Sequence, residues 1–210
     1  MIEKLKNIFR LNKSVEKELN IEEKIEELFS SLNSDTITLL VGNDFIDYCE
    51  SILKIVDETR NEIKDTNGFI LPLVHIKSSD SVQENELLFK VREKEVLQKF
   101  ILPNEKSLIK EIKTGLKEIF KEHLHEIFSC EITERYLTQV KKQCPWMIWN
   151  ITSVYSITEI RDVLVEILQK EKSIKNINYV FEKFSEYTLD SEYYRHREPN
   201  IIADKISSFL

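Results

Sequence analysis

Apolar residues along the chain follow three successive patterns, and the first covers residues 1–32. This segment is rich in charge, and its apolar residues recur at the 3.6-residue period of one helix face. Four residues form that stripe: Ile21, Ile25, Leu28 and Phe29. We therefore predict an N-terminal helical linker or arm over residues 1–32. Its basic, amphipathic beginning, MIEKLKNIFRLNK, favours docking on a protein partner, with peripheral contact to a membrane as the alternative.

The second pattern, over residues 33–103, predicts a small α/β subdomain. The run TITLLV, residues 36–41, is short, apolar and β-branched, which is typical of a buried strand, and Gly42 ends it. Helical spacing follows over residues 45–64. We expect the Asn67-Gly68 pair to end that helix, because glycine accepts the left-handed conformation common at helix C-termini.

Further strands are predicted over residues 69–77 and 85–91, and the segment EVLQKFI is a candidate fourth strand. Pro72 lacks a backbone N–H, so we expect the strand that contains it to lie at a sheet edge or near its own start. The order strand–helix–strand implies a parallel pair joined by a right-handed crossover, to which the later strands add as hairpins.

The third pattern, over residues 104–210, predicts a helical subdomain. The segment SLIKEIKTGLKEIFKEHLHEIF carries a long apolar stripe, and Gly115 inside it indicates a close helix contact or a local break. Two stripes in residues 160–187, separated by the polar turn QKEK, predict a tight helical hairpin with Ser173 as the N-cap of its second helix. The predicted fold class is therefore α+β and helix-rich: a small strand–helix–strand–strand unit followed by an all-helical unit.

Composition and charge narrow the class of partner and the compartment. The chain has 210 residues and a net charge of -7, a balance that repels nucleic acid and anionic lipid over most of a surface. No apolar run approaches the roughly 18 residues that a membrane-spanning helix needs. The three cysteines, Cys49, Cys130 and Cys144, are far apart and odd in number, which favours a reducing compartment and a cytoplasmic location.

Residues that carry chemistry are sparse. The three glycines cannot build a phosphate-binding loop or a dinucleotide fingerprint, and no cysteine pair has zinc-ligand spacing. His123 and His125 stand two positions apart on a predicted helix, so their side chains diverge. We predict no catalytic residues, no cofactor and no bound metal, and hence no enzyme. A Cys–His–Asp site assembled by folding is the open alternative.

The predicted hairpin also allows a second alternative, a DNA-binding helix-turn-helix regulator. Its second helix would need cations facing the groove and the phosphates. The segment SIKNINYVFEKFSEY instead balances Lys175 and Lys183 against Glu182 and Glu186. This balance is unsuited to a phosphate surface, and we expect nucleic acid not to be the partner.

The order of motifs resembles that of the FHIPEP family, the FlhA-type export-gate proteins of flagellar and type III secretion systems. TLLVGNDFIDYCE is similar to an opening strand and glycine turn, GFILPLVHIKSSDSVQENELLFKV to the next two strands, and CPWMIWNI to an alanine-proline element. The most recognisable motif is the pair Ile167-Leu168, a charged turn, and then SIKN. The similarity spans residues 36–210, and its signature residues, all expected to be structural, are Gly42, Asn85, Pro145, Leu168, Ser173, Ile174 and Asn176.

The resemblance implies the fold of the family's cytoplasmic C-terminal domain and a non-enzymatic, protein-binding role in protein secretion. Implied partners are export-apparatus components or secretion chaperones, together with further copies of the chain, at the inner face of the cell membrane. Two family features are not found in this sequence: the multi-span membrane domain, and an inserted subdomain whose place is taken by QKFILPNEKS. A soluble regulatory protein that reuses the fold is therefore kept as an alternative.

Overall fold

A four-stranded mixed sheet forms the first part of the computed structural model, which describes residues 36–79, 81–189 and 197–210. The strands are β1 (Ile37–Val41), β2 (Val74–Ser78), β3 (Glu86–Val91) and β4 (Lys94–Phe100). They lie in the order β2-β1-β3-β4, with β1 parallel to β2 and the other neighbours antiparallel. The predicted order of elements along the chain, the parallel pair and the fourth strand are confirmed. The arm predicted over residues 1–32 lies outside the described residues.

The crossover from β1 to β2 begins with a 3₁₀ turn, Asn43–Tyr48, and continues as helix α1, Cys49–Asn67. Gly68 ends α1 with φ of 76°, so the predicted left-handed cap is confirmed. The second strand begins later than predicted, at Val74. Residues 69–73 leave the sheet because their backbone is bound elsewhere: the Ile70 N–H donates to the Tyr136 hydroxyl, and the Leu71 carbonyl accepts from Arg60.

Helices make up the rest of the described chain. They are α2 (Glu105–Glu122), α3 (Leu124–Ile127), α4 (Cys130–Lys141), α5 (Pro145–Thr152), α6 (Ile157–Gln169), α7 (Ile177–Leu189) and α8 (Pro199–Ser207). Side-chain caps start α2, α4 and α6, at Asn104, Ser129 and Ser156, where an oxygen accepts an otherwise unbonded N–H of the first turn. The predicted fold class, α+β and helix-rich, is confirmed.

One hydrophobic core runs from the inner face of the sheet into the helices, from Ile37 to Ile206. Helix α2 approaches the sheet closely at Gly115. A Cβ at that position would lie 2.7 Å from Cζ of Phe89 in β3, so the glycine lets the helix lie directly on the sheet. The close helix contact predicted from this glycine is therefore confirmed.

Helices α6 and α7 take the place of the predicted hairpin, but they pack mainly on other helices, α6 on α8 and α7 on α5. The predicted tight pairing of the two helices is therefore wrong, whereas the first stripe is buried as expected: Ile160, Val163, Leu164, Ile167 and Leu168. The turn satisfies the end of α6 through two hydrogen bonds, from Glu171 N to Leu168 O and from Lys172 N to Ile167 O. This is a Schellman arrangement, with Glu171 at φ of 58° where glycine is commoner.

The predicted N-cap of the second hairpin helix was wrong. Helix α7 begins at Ile177, and Asn176 caps it, because its side-chain oxygen accepts from Tyr179 N and its carbonyl from Val180 N. The Ser173 hydroxyl accepts from Lys175 N instead, two residues ahead of it. Such local turns compete with helical geometry, which explains why the helix starts later.

Leu168→Ala is expected to lower the free energy of unfolding by about 2–5 kcal/mol, because the leucine is 5% exposed in the core. Chemical denaturation of both proteins measures the difference. Leu102→Ala is the matched control, since Leu102 is 75% exposed and should lose less than about 0.5 kcal/mol. A loss for Leu168→Ala no larger than that of the control would contradict the core assignment.

Asn176→Ala should cost about 1 kcal/mol of stability through loss of the α7 cap, and Ser173→Ala should cost less than half as much. The hydroxyl of Ser173 serves only a short turn, whereas the amide oxygen of Asn176 binds the first turn of a helix. Thermal melts of the two variants rank the positions. A larger loss of stability for Ser173→Ala than for Asn176→Ala would mean that Ser173 is the N-cap of α7.

Candidate functional site

Three parts of the chain that are far apart in sequence meet at the C-terminal end of α1. They are Gly68, Tyr136 and residues 173–176, and we name this place the α1 junction. The Ile174 N–H donates to the Asn67 carbonyl at 2.8 Å, and Lys175 Nζ donates to the Asp65 carbonyl at 3.0 Å. These are orphan carbonyls of the last turn of α1, so the SIKN segment completes the helix that it touches.

Gly68 sets how closely the segments approach. A Cβ at this position would lie 2.2 Å from the backbone nitrogen of Lys175, and its positive φ also disfavours other residues. The α1 junction is therefore a contact of backbone on backbone, which no side-chain rearrangement can loosen.

Tyr136 of α4 holds the other side of the α1 junction. Its hydroxyl donates to the Gly68 carbonyl at 2.8 Å and accepts from Ile70 N at 3.2 Å. Burial raises the pKa of the Tyr136 phenol, so the hydroxyl stays protonated as a donor. The ring continues an aromatic series through Phe128 to Phe69, with centroids 6.1 and 5.0 Å apart.

A cleft of about 630 Å³ opens beside the α1 junction, between the C-terminal ends of α1, α2 and α6. Its apolar wall includes Ile63, Phe120, Leu124 and Leu168, and charged side chains border it. Glu62 contacts Lys117 at 2.6 Å and Lys113 at 2.9 Å. The hydrogen bonds from Lys117 and Lys113 lower the pKa of Glu62, so this border stays ionised at neutral pH.

A second close approach lies at the sheet end where β1 leads into the 3₁₀ turn. The Gly42 N–H donates to the Glu86 carbonyl at 2.9 Å, and a Cβ on Gly42 would meet the Gln83 carbonyl oxygen at 2.1 Å. Asn85 belongs to the same strand entry, where its carbonyl accepts from Ile101 N. Both signature residues therefore shape the backbone around the start of β3.

The structure gathers the predicted signature residues into two groups and leaves one apart. Four of them, Leu168, Ser173, Ile174 and Asn176, lie at the end of α6 and in the connection to α7, which reaches the α1 junction. Gly42 and Asn85 lie at the same end of the sheet. Pro145 stands at the first position of α5, where its missing N–H costs no helical bond. Their standing as family signatures stays a prediction.

Sequence reasoning missed the residues that complete the α1 junction. Gly68 was assigned to a helix end, but nothing in its pattern indicated the contact with Lys175. Tyr136 lies in an ordinary amphipathic helix, and its hydroxyl is recognisable as a tertiary donor only once α4 packs beside residues 68–70. Contacts between residues this far apart in sequence leave no pattern in the residues around either partner.

Some titratable side chains of the described residues form local ion pairs. His123 pairs with Glu126 at 2.9 Å, and this contact lowers the pKa of the Glu126 carboxyl. Among residues 36–79, 81–189 and 197–210, no three His, Cys, Asp or Glu side chains are grouped as metal ligands would be. In the same residues, no helix combines the length and apolar character needed to cross a membrane.

Comparison with known proteins identifies the relatives of the fold. The FHIPEP family model matches residues 106–207, which run from α2 to α8 and include both α6 and α7. The resemblance to this family inferred from the motifs is therefore confirmed.

Two curated relatives are flagellar biosynthesis proteins FlhA. The protein from Bacillus subtilis is 26% identical over 101 residues, which is 46% of this chain and 15% of the relative. The protein from Borreliella burgdorferi is 21% identical over 234 residues, covering 85% of this chain and 34% of the relative. The chain thus spans about a third or less of the length of the relatives it matches.

Solved structures share the fold at low identity. Chlamydia pneumoniae CdsV, solved in complex with CdsO, superposes with a TM-score of 0.71 at 12% identity, covering 83% of this chain and 64% of that one. The nonameric SctV-C from EPEC gives 0.67 at 10% identity, with 83% and 64% coverage. At these identities the likeness establishes the architecture.

Gly68→Ala should destabilise the protein by about 3 kcal/mol or more, because the new Cβ would meet the Lys175 backbone and adopt a strained φ. Gly68→Asn separates the two causes, since asparagine tolerates the left-handed conformation but adds the same Cβ. We expect Gly68→Asn to be nearly as unstable in denaturant titrations. Recovery of most of the stability with asparagine would mean that the close contact is not limiting.

Proposed function

We propose that this chain is a non-enzymatic protein-binding module that acts in protein export. The observation that carries the proposal is the FHIPEP match over residues 106–207, together with the two FlhA relatives. In this proposal residues 1–32 are a linker arm, residues 33–103 the small α/β subdomain, and residues 104–210 the helical subdomain. The module works on the cytoplasmic side, at the inner face of the cell membrane.

Partners are proposed from the assemblies of the fold neighbours. One neighbour was solved with CdsO, and another is a nonamer. We propose that this chain likewise binds export-apparatus components or secretion chaperones and associates with copies of itself.

The physical character of the surface supports protein rather than nucleic acid as the partner. In the helix-turn-helix alternative, α7 would enter the DNA groove, yet most of its apolar residues are buried against neighbouring helices. Glu182 and Glu186 are exposed on α7, and its Lys183 is held by Glu186 at 2.8 Å. A helix with this balance repels phosphates.

The test is a pull-down of the tagged full chain from its native cell, with captured proteins identified by mass spectrometry. We expect enrichment of export-gate, export-ATPase or secretion-chaperone proteins over a tagged control protein of similar size and acidity. That control removes proteins held only by a net charge of -7.

Two other outcomes would contradict the proposal. Reproducible capture of one unrelated partner would favour a regulator that reuses the fold. Retention of the chain on random-sequence duplex DNA at moderate salt would favour the nucleic-acid alternative. Light scattering of the purified chain tests self-association separately, and a monomer at all concentrations would remove the oligomer from the proposal.

A further inference from the structure

Helix α5 carries both tryptophans of the chain on its outer face. Met147, Ile148 and Ile151 are buried, whereas Trp146 is 61% exposed and Trp149 is 69% exposed. Residues three positions apart share one face of a helix, so the two indoles are neighbours. Exposing two of the largest apolar side chains side by side is unfavourable unless a partner covers them.

The backbone beneath these tryptophans is fixed. Asn178 of α7 donates to the Gln143 side chain at 3.0 Å, just before α5, and Asn150 of α5 donates to Ser185 at 3.4 Å. These two bonds tie α5 along α7, with its apolar side in the core. The helix that carries the tryptophans is therefore already formed and packed, and binding through them needs no refolding of it.

Cations flank the tryptophans at the start of α5. Lys141 and Lys142 end α4, one tight turn before Pro145, and both are exposed. Within the part of the chain that the structure describes, neither lysine forms an ion pair. Glu182 is exposed on the α7 side, so the cationic edge of this surface is the edge at α4.

A groove runs beside the tryptophan face on the side of α4. It has a volume of about 470 Å³, and its lining includes Leu137 and Lys141 of α4 and Ile148 and Thr152 of α5. Apolar walls with a lysine at the border suit a ligand that presents apolar and acidic side chains together. Glu134 of α4 also lines the groove, at the end away from Lys141. Its negative charge disfavours carboxylates of a ligand at that end.

We propose that the outer face of α5 and this groove, together the tryptophan face, bind an amphipathic acidic helix of a partner protein. Trp146 and Trp149 are the apolar anchors, since tryptophan is among the commonest residues at the energetic centre of interfaces. Lys141 and Lys142 pair with carboxylates that flank the partner's apolar stripe. The inference rests on the proposed protein-binding function and adds the place and the chemistry of the partner.

Tryptophan fluorescence of the full chain tests the tryptophan face directly, because both indoles of the protein lie on it. The probe is a helical peptide of leucine and glutamate, and its control is the same peptide with lysine in place of glutamate. We expect the leucine–glutamate peptide to shift the emission to shorter wavelength and the control to leave it unchanged. Raising the salt concentration to about 0.5 M should weaken binding at least about threefold.

Variants locate the binding on the proposed residues. With a dye-labelled leucine–glutamate peptide, Trp146→Ala with Trp149→Ala should weaken binding by about a hundredfold, and Lys141→Glu with Lys142→Glu by about tenfold. Leu53→Ala with Leu102→Ala is the matched control, since these leucines are 58% and 75% exposed elsewhere, and its affinity should be unchanged. Unchanged circular dichroism melts confirm that all three variants fold.

Several results would overturn the inference. One is the absence of an emission shift with the acidic peptide, and another is equal loss of affinity in the leucine control. An emission shift with phosphatidylglycerol vesicles but not with the peptide would make the face a membrane contact. A shift that grows with protein concentration alone would make it a contact between copies.

Failure of the proposed function has a different signature. If the pull-down captures export components equally with the wild-type chain and the tryptophan variant, the proposed function stands and this face is not its site. If no protein is captured while the acidic peptide binds, the face is real and the export role is wrong.

Discussion

The backbone of Gly68 lies against the backbone of Lys175, and this contact ties the crossover helix α1 to the connection between α6 and α7. Helix α1 ends there, and residues 174–175 of the connection supply donors to its last carbonyls. Tyr136 closes the same place from α4 through two hydrogen bonds. Each segment therefore satisfies backbone groups that another leaves open.

The interior and the surface of the molecule have different roles. In the interior, a continuous core holds the sheet, helices α6 and α7 and the α1 junction in one arrangement. The surface keeps the features that a partner would meet: a cleft bordered by ionised Glu62, and a helix that exposes two indoles beside two lysines. A rigid scaffold with exposed apolar anchors loses little entropy on association, which is what a docking protein requires.

Local signals predicted the elements well because each rests on short-range physics. Gly42 and Gly68 were recognised as ends of elements, and the stripes of α6 and the crossover between β1 and β2 follow from periodicity and chain sterics. Errors occurred where two local solutions compete. Ser173 and Asn176 are both good caps by residue type, and only the docking of residues 173–175 on α1 assigned the cap to Asn176. Residues 69–71 have strand-like composition, yet Tyr136 and Arg60 form hydrogen bonds with backbone groups that would otherwise pair with a neighbouring strand.

The sequence by itself determined the fold class, the order of the strands and the resemblance to the FHIPEP family, because these depend on periodicity and on motifs within a few residues. Only the tertiary structure decided which apolar side chains are exposed to solvent. The dense apolar segment PWMIWNI predicts that Trp146 and Trp149 anchor packing between helices. That prediction is wrong, because the packing of α5 on α4 and α7 leaves both rings exposed. A helix of eight residues has too few turns to reveal its buried side from sequence, so exposure there is a property of the neighbours that cover the other side.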